Sequence, residues 1–208
     1  DTKLVAKMHK AITIIQLKLE GQLIERHPEW GMGKRDIFRM VDFDRGTVTI
    51  DGSEYELLDK NFPTVCRKDP LSLTENELMS VLENSFMHSE RLNSHIRFLY
   101  SKGSMYKTIN GNLLFHGCIP LDENGQLQSV NIAGTDYSGK ALLDKLDEIA
   151  NKAYFMQPGE EKDYAADYMW YLWSGARSPL YGKDKMAFFE RYFLDDKKLH
   201  KENYNAYY

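Results

Sequence analysis

Cysteine is nearly absent: Cys66 and Cys118 are the only two in 208 residues. That is too few for a disulfide framework, and they lack metal-ligand spacing with each other, so a reducing compartment is the simpler setting. Proline (6) and glycine (14) are also scarce, which excludes a collagen-like chain or a linker. Long apolar runs are missing. Runs such as AITII and NLLF fall far short of the ~18 residues a membrane helix needs, so no membrane partner is expected. Neither sign of charge dominates: 27 Lys and Arg against 31 Asp and Glu leave a net −4. With no overall positive field to hold a polyanion, nucleic acid is not an expected partner. Asp1 is followed by an amphipathic pattern without a charged-then-apolar leader, so no signal peptide is expected and the chain reads as a processed or excised piece. What the sequence does hold is 42% apolar and 12% aromatic residues, enough to build a core in one body or two small ones.

From Leu4, the positions Leu4, Met8, Ala11, Ile12, Ile15, Leu19 and Leu23 recur at helical spacing, with Lys7, Lys10, Lys18 and Glu20 mostly off the stripe. His27-Pro28 should end that helix, because proline removes a donor and restricts its predecessor. A turn region with Gly31 and Gly33 follows. VDFDRGTVTIDGSEYEL then reads as a small hairpin or meander. Thr74 and Glu77 have capping-box spacing, and the apolar pattern after them predicts one or two helices up to Gly103. SMYKTI and NLLFHGCI flank Asn110-Gly111, the dipeptide best suited to a two-residue hairpin turn. LQSVNIAG is a further strand, and Ser138 is placed to cap a helix through Ala141, Leu142, Leu146 and Ile149. The last 58 residues carry 15 of the 26 aromatics, so the composition changes there.

Histidine supplies most metal ligands and acid-base groups near neutral pH. His88 and His95, seven apart on a predicted helix, stand about 10 Å apart at 1.5 Å per residue, too far for one metal. His9, His27 and His200 have no partner in sequence. His116 differs, since it ends the apolar run Leu113-Leu114-Phe115 and precedes Gly117, so a buried strand would deliver its imidazole at a sheet edge. On the residues alone a hydrogen-bonded core histidine is the favoured reading and a ligand the alternative. Asp122 and Glu123 read as turn formers in DENG, and Cys118 lacks a nucleophile signature. The segment Ser174-Gly175-Ala176-Arg177-Ser178-Pro179, with Lys183 beyond it, sets two cations and hydroxyls in a short irregular stretch. It could grip phosphate or simply be solvated. Trp170, Trp173, Phe188 and Phe189 read as core.

Taken together and in order, MHKAITIIQLKLEGQLIERHP, KGSMYKTINGNLLFHGCIPLDENG, DYMWYLWSGARSPLYGKDKMAFFERYF and HKENYN resemble the class III fructose-1,6-bisphosphatases of bacteria, whose catalytic core is a calcineurin-like metallophosphoesterase. Such enzymes gather two metal ions from several separated motifs. Here only a lone His before a Gly is found, His116-Gly117, so the resemblance implies His116 as a metal ligand. The Gly-Asp-x-x-Asp, Gly-Asn-His-Asp and Gly-His-x-His motifs are absent from the sequence.

The resemblance therefore implies that the chain is an internal fragment. Its full-length parent would hydrolyse the 1-phosphate of fructose 1,6-bisphosphate in gluconeogenesis, using a divalent metal, manganese, in a two-metal site, in the cytoplasm. The two ions would polarise phosphoryl oxygens and activate a bridging water. The fragment alone is expected to be inactive, with no catalytic residue of its own. Arg177, Ser178 and Lys183 stand as substrate-binding candidates. The expected fold is α+β. Residues 1–103 form a mainly helical portion with a small hairpin, an insertion, and 104–208 form part of the β-rich phosphoesterase core with flanking helices. A homo-oligomer is open, and the competing reading is a non-catalytic regulatory or oligomerisation module.

Overall fold

The structure is a computed structural model that describes residues 1–66, 71–181 and 194. It is an α+β chain in two compact units. The first contains Asp1–His88 together with Leu194, and the second begins at Ser89.

Helix α1 (Thr2–Arg26) opens the first unit, with the Asp1 carboxylate accepting from the Lys3 amide. It stops at His27-Pro28, as proline dictates. Its buried face is not the expected stripe. Leu4, Val5, Met8 and Ile12 are exposed, and burial begins only at Ile14, continuing through Ile15, Leu17, Leu23 and Ile24 and taking in Lys18 and Glu20. Among the described residues, only the C-terminal half of α1 is buried. Two 3₁₀ turns, Pro28–Trp30 and Met32–Arg35, occupy the predicted turn region, and Asp36 caps the short α2 (Ile37–Met40) through the Phe38 amide.

The meander then forms as the pattern requires: β1 (Val41–Asp42), β2 (Thr47–Ile50) and β3 (Ser53–Glu56), antiparallel in sequence order. Asp51 and Gly52 take positive φ between β2 and β3, the backbone that a two-residue hairpin turn needs. Ile14, Leu17, Ile37, Val48, Leu57 and Phe62 close the core of this unit, with Leu194 joining them. The single-turn α3 (Phe62–Val65) follows, and then α4 (Leu73–Met87). Its capping box is Ser72 with Glu75, two residues before the expected Thr74 and Glu77, so the same spacing occurs twice and the earlier pair takes the helix start.

A break at His88-Ser89 leaves His88 as the C-cap of α4, while His95 lies within α5 (Glu90–Lys102), so the two histidines are not on one helix. In the second unit Asn110 and Gly111 turn β4 (Tyr106–Ile109) into β5 (Asn112–Phe115), both at positive φ. The DENG segment is a turn, with Asp122 Oδ1 accepting from the Asn124 and Gln126 amides. β6 (Val130–Ile132) pairs with an unanticipated β7 (Thr135–Tyr137) across Ala133-Gly134. Helix α6 (Gly139–Phe155) starts after Ser138, whose side chain makes no capping bond. It packs along α7 (Glu160–Ser174), burying Leu142, Leu143, Leu146 and Ile149 on one side and Ala165, Tyr168, Tyr171 and Leu172 on the other. Tyr100 of α5 joins this pair, its hydroxyl donating to the Ala150 carbonyl at 3.0 Å and its ring stacking on Tyr154. Among the described residues no helix is long and apolar enough to cross a membrane.

Candidate functional site

Two segments singled out in the sequence, sixty residues apart, meet in the second unit. Cys118 donates its amide to the Pro179 carbonyl at 2.8 Å, and its thiol points at the Ser178 carbonyl at 3.6 Å. Gly117 makes the approach possible. A Cβ there would stand 2.5 Å from the Pro179 oxygen and 3.2 Å from the Leu180 carbonyl, contacts with backbone that cannot yield. The bend that carries His116 is thereby laid against the loop that carries Arg177 and Ser178.

His116 itself is exposed, on a bend just after β5. The favoured core-histidine reading fails for this chain, and so does the premise of a buried strand, because every residue of β5 is exposed. Arg177 is also exposed, its Nη1 donating to the Ser129 carbonyl at 3.3 Å. Ser178 is fully buried. Its hydroxyl donates to the Leu172 carbonyl and accepts from the Leu180 amide at 3.1 Å, so this side chain builds the loop and closes the end of α7. Lys183, Phe188, Phe189 and His200 lie outside the described residues.

The surroundings of the loop are apolar. Burial pushes the Tyr171 phenol up, while a hydrogen bond from the Arg177 backbone and its positive charge pull the other way. Burial likewise raises the Cys118 thiol, which favours its protonated form. Trp173 does not join the core as expected. It is 61% exposed, and Tyr168, Tyr171 and Leu172 fill that role instead. Helical spacing alone could not separate these neighbours, since α7 is aromatic nearly all round.

Among the described residues no group of three or more His, Cys, Asp or Glu side chains could hold a metal ion. His116 alone therefore does not fit a dinuclear centre. The glycine at 117, whose role is backbone approach, and the Pro179 carbonyl that receives Cys118 went unassigned in the sequence. The pair Gly117-Cys118 after a strand was the available signal.

The fold and site thus define an α+β chain that presents an exposed histidine bend beside the Arg177 loop, with no metal cluster among its described residues. Comparison with known families carries this further. The family model for Firmicute fructose-1,6-bisphosphatase matches residues 1–208, and the chain belongs to that family. Relatives named fructose-1,6-bisphosphatase class 3 include one from Clostridium tetani (strain Massachusetts / E88), 54% identical, and one from Clostridium botulinum (strain Alaska E43 / Type E3), 52% identical. Each alignment covers 100% of this chain and 32% of the relative, so the chain spans about a third of the length of these proteins. No solved structure matches it.

Proposed function

We propose that this chain is a segment of a fructose-1,6-bisphosphatase that releases the 1-phosphate of fructose 1,6-bisphosphate in gluconeogenesis, in the cytoplasm, by a manganese-dependent two-metal mechanism. The observation that carries the proposal is the junction of the His116 bend with the Arg177 loop, in a chain whose family is named for this hydrolysis. His116 would be one metal donor, with the others supplied by the longer protein. Arg177 is the solvent-facing cation for a phosphate oxygen, Ser178 fixes the loop that presents it, and Lys183 is a second cation of the same stretch. Residues 104–208 would belong to the catalytic core and residues 1–103 to an insertion.

The test is manganese-dependent phosphate release from fructose 1,6-bisphosphate, comparing the full-length enzyme, its His116→Ala variant and the 208-residue chain. Activity is expected only in the unmodified full-length enzyme. Loss of a direct ligand should exceed the roughly 10–100-fold effect of an outer-shell partner. Full turnover in His116→Ala would remove the ligand assignment. Activity in neither form would favour the second reading, a regulatory or oligomerisation module, which the exposed Leu4, Val5, Met8 and Ile12 on α1 support.

A further inference from the structure

A buried tyrosine stands behind the Arg177 loop. Tyr171 lies in the last turn of α7 and is 5% exposed. Neighbouring rings of the same helix fix its place: centroids are 5.9 Å apart from Tyr164 to Tyr168 and 5.0 Å from Tyr168 to Tyr171, with Tyr168 buried as well. A phenol taken out of water needs a hydrogen-bond partner, and here the backbone amide of Arg177 donates to the Tyr171 hydroxyl oxygen. Gly175 lets the chain fold back onto that ring. A Cβ at 175 would stand 2.7 Å from two atoms of the Tyr171 ring and 2.6 Å from the Tyr171 carbonyl oxygen. The guanidinium end of Arg177 is held too, through the Nη1 bond to the Ser129 carbonyl just before β6, while the side chain stays exposed. Both ends of one long side chain are thus fixed before any ligand arrives, so much of the rotamer freedom that anion binding would remove is already lost on folding.

We infer that Tyr171 is a positioning residue for phosphate binding: its hydroxyl holds the Arg177 backbone in the place from which the guanidinium reaches a phosphate oxygen of the substrate. The inference rests on the reading of Arg177 as a phosphate contact. Tyr171 is buried beneath the loop, so it acts on the ligand only through Arg177. Packing alone does not call for a tyrosine here. A phenylalanine ring would fill the same space between Tyr168 and Gly175, whereas the hydroxyl reaches the Arg177 amide.

Tyr171→Phe in the full-length enzyme tests this, with inorganic phosphate as a competing probe. The KM for fructose 1,6-bisphosphate and the inhibition constant of phosphate should both rise roughly 3–10-fold, the effect of having to order one long side chain, while kcat stays within about twofold. A double-mutant cycle with Arg177→Ala separates this from general loop stability. Once the guanidinium is gone, the change at 171 should leave both constants unmoved. A Tyr171→Phe effect that persists at full size in the Arg177→Ala background overturns the inference. So do unmoved constants in Tyr171→Phe beside an impaired Arg177→Ala, a result that leaves the phosphate reading of Arg177 standing. Normal kinetics in Arg177→Ala overturn that reading and the inference with it. Hydrogen exchange gives a readout apart from turnover. In Tyr171→Phe the Arg177 amide should exchange roughly 5-fold faster, while the Cys118 amide on the Pro179 carbonyl keeps its rate. Equal loosening at both amides overturns the inference, because the phenol then holds the whole junction rather than Arg177.

Discussion

Lys18 and Glu75 stand 57 positions apart in the chain and meet through two contacts, Nζ to Oε1 at 3.1 Å and to Oε2 at 3.0 Å, with Lys18 buried. Burial works to raise the Glu75 carboxyl, but the Ser72 amide and Lys18 outweigh it and hold it below its ordinary value. A group whose folded value is depressed stabilises the fold above its unfolded value of 4.5 and loses that contribution as pH falls through the folded value. Glu75→Gln should therefore cost about 1–2 kcal/mol near neutrality. In urea unfolding of the full-length protein, the gap between the two proteins should shrink below pH 4.5. A gap that is unchanged into acid would show that the carboxylate charge does not matter. Cys66, buried beside this pair, has its thiol pushed up to about 12 by burial, so it stays protonated and inert. At the candidate site, Arg177→Ala should raise KM or lower kcat for fructose 1,6-bisphosphate in the full-length enzyme, and unchanged kinetics would remove Arg177 from the phosphate contacts.

Between residues and the whole lie the turns and helix ends, where the sequence was most readable. Proline at 28 ended α1 and Asn110-Gly111 closed the hairpin because each restricts the backbone locally, whatever surrounds it. Burial was poorly readable, since it depends on what arrives from elsewhere: the first turns of α1 and both faces of the hairpin carry core-like patterns and meet solvent here. The capping box slipped by two residues because two pairs share one spacing. At the candidate site, His116 and the Arg177 loop could each be picked out, but their junction could not, because it is made by a glycine and main-chain atoms whose contacts leave no side-chain pattern. Gly117→Ala tests that junction. With no room against the Pro179 and Leu180 main chain, it should destabilise the second unit by about 1–3 kcal/mol and speed exchange of the Cys118 amide. Normal exchange at Cys118 would show that the loop moves aside freely.

In each unit taken by itself apolar side chains stand exposed, on α1 and α4 in the first and on the hairpin in the second. Light scattering on the 208-residue chain should show association that grows with concentration, while the full-length enzyme keeps one defined size over the same range. A monodisperse short chain would mean these faces tolerate water. Leu194 has a different consequence. It joins the core of the unit that begins at Asp1, although the described residues of the second unit lie between them in sequence. On the ribosome, the core of the amino-terminal unit therefore stays open until Leu194 has been synthesised, more than a hundred residues after His88.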